Sequence, residues 1–326
     1  MEQFGGRLAV VTGGGTGMGR ELARQLAAQG CHVALCDLSE PTMAETKTLC
    51  EQDAPPGTRV TTHRCDVADE RQVLAFRDAV RHEHATSQVN LLFNNAGVGG
   101  GGSLFADSRE VWERTFDICW YGVYYCTRAF LPLLVAAPQG RIVNTSSVNG
   151  FWASLGPGVP HSAYSTAKFA VKGFSEALIA DLRLYAPHVG VSLVMPGHVG
   201  TSIMLNSPVV LGRPQPAEMT AEDLALVRDR LVRRGLDVRA VPDDMLRTMM
   251  QRLAEDFRDK APLSAAAAAT IILDGVRAGR WRILVGADAE ELDRRVRAEP
   301  EQAYEPGFFE QLQAQGHFAP ALAPRR

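Results

Sequence analysis

The residues Leu8-Ala-Val-Val-Thr12-Gly-Gly-Gly-Thr-Gly-Met-Gly19 form a short apolar run that ends in a glycine-rich turn. A helical pattern begins directly after the turn, so the stretch predicts a strand, a tight turn and a helix in succession. Glycines let the backbone approach a phosphate group closely, and the free N–H groups of a helix N-terminus stabilise its negative charge. Glycine turns also serve structural needs, so the signal gains weight from its position between a strand and a helix.

The alternation of short apolar runs and helical patterns continues along the chain. The further runs are rich in β-branched residues and fall at 33–36, 60–65, 89–93, 141–145, 191–195 and 282–285. Helical patterns between them include residues 19–29, 70–84, 109–134, 163–185 and 264–278. Strands that alternate with helices predict an α/β fold, with a parallel sheet and helices on both of its faces.

A single domain covering residues 1–286 is favoured, because no flexible linker and no internal repeat divides the chain. An insertion at residues 202–262 interrupts this pattern between the sixth and seventh strands. Residues 287–326 are predicted to be a C-terminal tail, which has an irregular character from Pro300 onward.

The insertion contains two predicted helices. The first begins at the capping box Thr220-Ala-Glu-Asp223 and stops at Gly235. The second carries a stripe of apolar residues four positions apart, namely Met245, Met249, Leu253 and Phe257.

The composition is that of a soluble globular protein, with 46% apolar and 22% charged residues in a chain of 326. A formal charge of −3 gives no reason to expect nucleic acid or an anionic membrane as a partner. An acidic residue stands near the start and no apolar run is judged long enough to cross a bilayer, so a cytoplasmic location is expected. The six cysteines are interpreted as buried, reduced thiols rather than a metal or disulfide site, and no metal is expected.

The second predicted strand ends in Asp37, about 20 residues beyond the glycine turn, the separation expected of an acid that binds the adenosine ribose of a dinucleotide. A carboxylate there would accept hydrogen bonds from both ribose hydroxyls and repel a 2′-phosphate. NAD is therefore preferred over NADP. A helix cap is the alternative role for Asp37, and for Asp66 at the end of the third strand a contact with the adenine amino group competes with capping.

Tyr164 and Lys168 stand four residues apart and therefore on one face of a predicted helix. A free tyrosine has a pKa of about 10, and a neighbouring ammonium group would lower it, so that the phenol could exchange protons with a substrate. The pair by itself could also arise by chance on any exposed helix.

Several motifs in a fixed order change that balance. They are the glycine-rich turn at residues 12–19, Asn94-Asn-Ala-Gly97, Val143-Asn-Thr-Ser-Ser147, Tyr164-Ser-Thr-Ala-Lys168 and Pro196-Gly-His-Val-Gly-Thr201. Together they resemble the classical short-chain dehydrogenase/reductase (SDR) family, over residues 5–201 and again over 264–286. The resemblance implies a Rossmann-like, doubly wound sheet of seven parallel strands, with the insertion as a helical substrate lid. It also implies an NAD-dependent oxidoreductase that interconverts a secondary alcohol and a ketone by hydride transfer.

The resemblance assigns roles to particular residues. Tyr164 matches the catalytic acid/base, Lys168 the lysine that lowers its pKa and holds the nicotinamide ribose, and Ser147, rather than Ser146, the serine that orients the substrate oxygen. Asn94 is expected to be structural. The residues expected to bind the cofactor are Gly13, Thr16, Gly17, Met18, Gly19, Asp37, Leu38, Asp66, Val67, Asn95, Ala96, Gly97, Tyr164, Lys168, Val199 and Thr201.

Two features depart from the family pattern. Cys119 stands where the family usually has an asparagine that supports a water in the proton relay, and a thiol cannot hold the same geometry. A backbone carbonyl could still hold the water, so an active enzyme is expected. The segment between Ser147 and Tyr164 is also unusually long, and its His161 is expected to face solvent rather than substrate.

The methionines in and beside the insertion hint at a bulky hydrophobic substrate such as a steroid or terpenoid alcohol, although simple core packing explains them as well. Apolar residues on several faces of the helix at 163–185 predict a homo-oligomer, a tetramer or a dimer.

Two other functions stay open. One is an NADPH-dependent carbonyl reductase, which Asp37 disfavours. The other is a nucleotide-binding regulatory protein with impaired catalysis, which only Cys119 favours.

Overall fold

The structure is a computed structural model that describes residues 3–100, 102–156 and 159–314. Its centre is a sheet of seven strands, all parallel, in the order β3-β2-β1-β4-β5-β6-β9, which confirms the predicted sheet. The strands are β1 (Leu8–Thr12), β2 (His32–Asp37), β3 (Val60–Arg64), β4 (Leu91–Asn94), β5 (Gly140–Thr145), β6 (Val189–Pro196) and β9 (Arg282–Val285). A separate pair consists of β7 (Val199–Gly200) and β8 (Leu263–Ser264).

Helices cover both faces of the sheet. In chain order the helices are α1 (Gly17–Ala27), α2 (Glu40–Asp53), α3 (Glu70–Glu83), α4 (Arg109–Phe116), α5 (Gly122–Ala136), α6 (Ser162–Tyr185), α7 (Ile203–Val210), α8 (Ala221–Arg233), α9 (Asp243–Asp259), α10 (Ala265–Arg277), α11 (Ala287–Ala298) and α12 (Pro306–Ala314), of which α7, α8 and α9 belong to the insertion. Successive side chains of a strand point to opposite faces, so Val10 packs with α3, α5 and α6 while Val11 packs with α1, α2 and α10. This burial on both sides explains why the strands read as continuous apolar runs.

The strand order reverses beside β1, which lies between β2 and β4. The crossovers from β1 lead to one side of the sheet and those from β4 to the other, so a crevice opens at the carboxyl ends of these strands. The glycine turn, Asp37 and Asn95 follow three of these strands directly. The fold thus brings the sequence motifs to one edge.

The insertion leaves and re-enters the main fold at one place, because β7 pairs with β8. The predicted capping box of α8 is confirmed: the Thr220 hydroxyl accepts from the Asp223 N–H at 3.2 Å, and the Asp223 carboxylate accepts from the Thr220 N–H at 2.8 Å. The stripe predicted for α9 is wrong at its first position. Met245 is 60% exposed, and its neighbour Leu246 packs inside the insertion instead.

The prediction of an irregular tail after Pro300 is also wrong for residues 306–314. These residues form α12, whose Phe308 and Leu312 are buried against Trp152 of the same chain. The proline at position 306 begins this helix, and a first-turn proline is compatible with a helix because its missing N–H would have no partner there. Pro320 and Pro324 lie outside the described residues, and the division into domains stays a prediction.

The expectation that no apolar run is long enough to span a bilayer is wrong for the continuous helical stretch Arg109–Ala136. It has 28 residues and contains an 18-residue window with a mean hydropathy of 1.2, and 56% of that window is buried inside the protein. A π-helical turn, Asp117–Tyr121, joins its two halves α4 and α5. Burial of this kind is what the core helix of a globular protein shows.

Most of the apolar residues on α6 that suggested an oligomer face belong to the chain's own core. Val171, Leu178 and Leu182 are buried, and Phe174 packs against them. Phe169 is exposed to 41%. The apolar pattern of α6 is therefore explained largely by packing within one chain.

Candidate active site

At its key positions the glycine turn leaves no room for a side chain. Gly13 and Gly17 have positive φ angles of 66° and 55°. A Cβ on Gly19 would lie 2.0 Å from the Gly13 carbonyl oxygen, which no real side chain could tolerate. The turn is thus closed tightly over the N-terminus of α1, leaving a cradle of the shape that a pyrophosphate requires.

The end of β4 holds this turn in place. The Asn95 side chain donates to the carbonyl oxygens of Thr12 at 3.1 Å and Gly13 at 3.3 Å. The Thr12 hydroxyl in turn accepts from the N–H groups of Asn95 and Ala96, both at 3.0 Å. The Asn95 side chain therefore positions the glycine turn, and its amide donors are already used.

Asp37 lies against the glycine turn. One carboxylate oxygen accepts from the Gly15 N–H at 2.9 Å, and the other accepts from the N–H groups of Leu38 at 2.7 Å and Ser39 at 3.3 Å. The alternative role as a helix cap does not fit, because the Ser39 hydroxyl caps α2. The carboxylate thus stands beside the phosphate cradle, where an adenosine ribose would lie.

Arg20 also contacts the glycine turn, and the sequence analysis did not single it out. Its guanidinium donates to the Gly15 carbonyl at 2.8 Å and pairs with Glu45 at 2.6 Å. A cation so close to Asp37 could attract a 2′-phosphate. Its guanidinium is paired with Glu45, whose side chain is 59% exposed.

Asp66 and Val67 follow β3. The Asp66 carboxylate pairs with Arg114 at 2.6 Å and accepts from the Ala68 N–H at 3.0 Å, whereas α3 is capped by Asp69. The capping alternative for Asp66 is therefore wrong. Val67 is 6% exposed and packs in the core, so only its backbone is available to a ligand.

The three expected catalytic residues meet at the carboxyl end of β5. The Ser147 hydroxyl interacts with the Tyr164 phenol and lowers its pKa. The Lys168 ammonium donates to the Thr145 carbonyl at 2.9 Å and lies 5.4 Å from the centre of the Tyr164 ring. The Ser146 hydroxyl instead donates to the Lys168 carbonyl at 2.8 Å and faces away from the phenol. The arrangement gathers a phenol, an ammonium and a hydroxyl at one point.

The electrostatics of the cluster differ from the expectation that Lys168 lowers the phenol pKa. Burial raises the pKa of Tyr164, Cys119 raises it further, and the interaction with Ser147 lowers it. Burial also lowers the pKa of Lys168. The ammonium is directed at the Thr145 carbonyl, and burial is the main cause of the raised phenol pKa. A phenol that keeps its proton is the form that can donate it to a carbonyl oxygen.

The comparison with known proteins agrees with this geometry. A model of the short chain dehydrogenase family matches residues 7–208, which hold the glycine turn, the catalytic cluster and the end of β6. The chain belongs to the short chain dehydrogenase family. SadH of Mycobacterium tuberculosis, named as an oxidoreductase, is 34% identical over 294 residues, covering 90% of this chain and 91% of SadH.

Two solved structures are similar to this dehydrogenase. A short chain dehydrogenase/reductase from Burkholderia phymatum, in complex with NAD, matches with a TM-score of 0.73 and 30% identity over 94% of this chain and 98% of its own. A metagenomic short-chain oxidoreductase in complex with NADP matches with a TM-score of 0.51 and 30% identity, over 60% of this chain and 83% of its own. The family therefore includes similar proteins that hold either cofactor.

Cys119 occupies the position at which the dehydrogenase departs from the family pattern. It is fully buried in the π-helical turn, with its sulfur 3.6 Å from the Val98 carbonyl oxygen. A Cβ on Gly97 would lie 3.6 Å from the Lys168 ammonium and 3.8 Å from the Cys119 sulfur. The thiol thus borders the lysine although the two are far apart in sequence. π-helical turns of this kind are frequent at functional sites.

His161 does not face solvent, so that expectation is wrong. Its ring lies 4.7 Å from the Tyr164 ring, centre to centre, and its Nδ1 is buried without a hydrogen-bond partner. Burial lowers the pKa of His161 to about 4. A neutral imidazole therefore packs directly against the Tyr164 phenol.

The first residues of the insertion reach back to the glycine turn. The Thr201 side chain would be 3.1 Å from a Cβ on Gly17, and the Asn206 amide donates to the Thr16 hydroxyl at 3.3 Å. Val199 is buried in β7, and Met18 packs against the core beside α1. The insertion thus starts at the edge of the crevice, next to Val199 and Thr201, which are expected to bind the cofactor.

A network of buried, hydrogen-bonded polar side chains connects the strands and helices that carry the site. The Asn94 amide donates to the Asn144 oxygen at 2.8 Å and to the Thr127 hydroxyl at 3.0 Å, and the Asn144 amide donates to the Ser175 hydroxyl at 2.9 Å. Asn94 is thus structural, as predicted. No sequence motif identifies Thr127 or Ser175, because the network joins positions on β4, β5, α5 and α6.

Proposed function

We propose that this short chain dehydrogenase interconverts a secondary alcohol and a ketone with NAD. The observation that carries the proposal is the Tyr164–Ser147–Lys168 cluster at the edge of the sheet that also bears the glycine cradle. Bound NAD supplies the hydride chemistry. Tyr164 gives its proton to the carbonyl oxygen in reduction and takes it back in oxidation, while Ser147 orients that oxygen. Lys168 holds the nicotinamide ribose.

NAD is proposed over NADP because of the charges around the adenosine ribose. Asp37 would accept hydrogen bonds from the ribose hydroxyls and would repel a 2′-phosphate at the same place. Arg20, the cation beside the turn, is paired with Glu45. The similar protein from Burkholderia phymatum binds NAD, which supports this choice. An NADPH-dependent carbonyl reductase is the alternative that these charges disfavour.

An apolar substrate, such as a steroid or terpenoid alcohol, is the extension that Met204 supports. Its sulfur would lie 3.4 Å from a Cβ on Gly99, on the loop that follows β4, and the side chain is 43% exposed. Met219 and Met249 give no such support, because they pack inside the insertion. The insertion would act as the substrate lid. A homo-oligomer is proposed as well, through exposed aromatic residues such as Tyr121, in the π-helical turn before α5, and Phe169 on α6.

The second candidate is a nucleotide-binding regulatory protein without turnover, which Cys119 at the family's asparagine position favours. A screen of secondary alcohols, including hydroxysteroids, with NAD and with NADP separates the two functions. We expect reduced cofactor to form with NAD for at least one apolar alcohol, and Tyr164→Phe to lose this activity while it still binds NAD. Tight NAD binding without turnover across a broad panel would instead favour the regulatory protein.

A further inference from the structure

The loop between Ser147 and Tyr164 is held by a distant part of the chain. The Trp152 indole N–H donates to the Ala303 carbonyl at 2.7 Å, and the Ala153 N–H donates to the Tyr304 hydroxyl at 3.0 Å. Trp152 is 1% exposed. We call residues 303–312 the C-terminal brace.

Apolar contacts reinforce these hydrogen bonds. The Trp152 ring lies 5.7 Å from the Phe308 ring and stacks at 6.4 Å on the Phe309 ring, centre to centre. A Cβ on Gly156 would lie only 2.5 Å from the Phe309 ring, so this part of the loop is pressed against the brace. Packed aromatic rings attract each other beyond the burial of their apolar surface, so the contact restrains the loop.

A short series of hydrogen bonds connects Trp152 to the catalytic serine. The Asn149 side-chain amide donates to the carbonyl oxygens of Trp152 at 3.0 Å and Ser154 at 2.9 Å. The Asn149 backbone N–H donates to the Ser147 hydroxyl oxygen at 3.1 Å. The rotamer of Ser147 is thus set by Asn149, whose own position depends on the loop that the brace holds.

We propose that the C-terminal brace positions Ser147 for catalysis, with Trp152 and Tyr304 as positioning residues. The inference rests on the proposed function of Ser147. Catalysis requires the substrate oxygen to be held within about 0.5 Å of its productive position, and a long surface loop would not supply such rigidity by itself. A brace from residues 303–312 removes the loop's freedom before substrate arrives.

The test uses the full chain with Trp152→Phe, which keeps an aromatic ring and removes the indole N–H. Tyr304→Phe removes only a hydroxyl from a side chain that is 60% exposed, so folding is not at risk. Trp281→Phe, at a tryptophan that is 45% exposed and lies just before β9, is the matched control. A chain that ends at Ala314 keeps α12 and the whole brace, and it serves as a second control.

Amide hydrogen exchange of residues 148–156 should become about tenfold faster in Trp152→Phe and less so in Tyr304→Phe, since each change removes one restraint on local opening. For an alcohol found in the screen, kcat/KM should fall about tenfold in Trp152→Phe, about the loss expected when one hydrogen bond worth about 1.4 kcal/mol no longer orders the loop. NAD affinity should stay unchanged, and both controls should behave like the wild type.

Unchanged exchange at residues 148–156 in folded Trp152→Phe would overturn the brace. An equal loss of NAD affinity and activity, in step with the melting temperature, would also overturn it, because that pattern marks general destabilisation. If the wild type turns over no alcohol, the proposed function fails. The exchange measurement still decides whether the brace holds the loop.

Discussion

The nucleotide side of the molecule, residues 8–97, and the substrate side are held together in different ways. The substrate side comprises the loop at 148–161, the insertion and the C-terminal brace. On the nucleotide side, backbone segments approach so closely that no Cβ fits between them, as between Gly13 and Gly19. On the substrate side, side chains join segments more than 100 residues apart, as between Asp107 and Arg213 or between Trp152 and Ala303.

Because of this difference, we expect the two sides to respond differently to amino-acid substitutions. A backbone turn without room for a Cβ fails altogether when a side chain is added, because main-chain atoms cannot move aside. A surface joined by individual side chains loses one contact at a time. Substitutions should therefore be nearly all-or-none on the nucleotide side and graded on the substrate side.

Gly19→Ala should give the largest effect. The added methyl would lie 2.0 Å from the Gly13 carbonyl oxygen, so the turn must open, and NAD affinity should fall more than about 100-fold in a calorimetric titration. Gly173→Ala in α6 is the control, because nothing lies within 4 Å of its Cβ. That change should stabilise the helix by about 0.5–1 kcal/mol. Near-wild-type NAD binding by Gly19→Ala would show that the turn yields, and the contrast between the two sides would fail.

Asp37→Ala should give the next largest effect. The change removes charge-assisted hydrogen bonds to the ribose and the repulsion of a 2′-phosphate, so the ratio of kcat/KM for NAD over NADP should fall about 10- to 100-fold. Asp53→Ala, which removes an exposed carboxylate paired with Arg24, controls for the change in charge. An unchanged ratio would refute the role assigned to Asp37.

The acid sensitivity of the substrate side should depend on His161. Its pKa is lowered from 6.5 to about 4 in the folded protein, so the unfolded chain takes up a proton first as the pH falls. Protonation of His161 in the unfolded chain therefore lowers the free energy of unfolding as the pH falls from about 6.5 to about 4. This loss is absent above pH 6.5 and reaches about 2 kcal/mol at about pH 5. Urea unfolding at both ends of this range should give a smaller difference for His161→Phe than for the wild type.

His84, on the nucleotide side, provides the comparison for this measurement. Burial lowers its pKa to about 4 as well, with smaller contributions from Arg59, His32 and His63. His84→Gln should therefore reduce the acid sensitivity in the same direction without disturbing the contact with Tyr164. If His161→Phe kept the full pH dependence of the wild type, the buried state assigned to its ring would be incorrect.

Asp107→Asn should give the smallest effect. The Asp107 carboxylate, 6% exposed, pairs with Arg213 at 2.7 Å and with Arg230 at 3.0 Å, and so ties the insertion to the loop after β4. An amide keeps part of this hydrogen bonding, so KM for the alcohol should rise only about fivefold, with NAD affinity unchanged. Asp229→Asn removes the exposed pair with Arg233 on the same helix and should change neither value. An equal effect of both substitutions would mean that the Asp107 contacts do not hold the lid.

The nucleotide side could be predicted from the sequence in some detail, because its features are local. Strand ends and the glycine turn follow one another in the chain, and each imposes its own backbone geometry. The role of Arg20 was missed, because its partners Gly15 and Glu45 meet only after α1 and α2 pack together. The capping role suggested for Asp66 was wrong, because its partner Arg114 comes from α4.

The substrate side was predicted less well. The helix α8 was anticipated from its capping box, a purely local signal. The environments of His161 and Cys119 were not, because the burial of the imidazole and the closeness of the thiol to Lys168 arise from packing between separate elements. The helix α12 was predicted to be an irregular tail, because its apolar residues are buried only through contact with the distant Trp152.

The sequence by itself determined the parallel sheet, the glycine turn and the identity of the residues at the carboxyl ends of the strands. These depend on local backbone preferences and on the alternation of apolar runs, which any short stretch of chain carries within itself. Three properties depend on tertiary packing: the direction of the Tyr164 pKa shift, the environment of His161, and the contacts that hold the loop after Ser147. Burial and long-range contacts control these properties, and both exist only once distant segments have packed together.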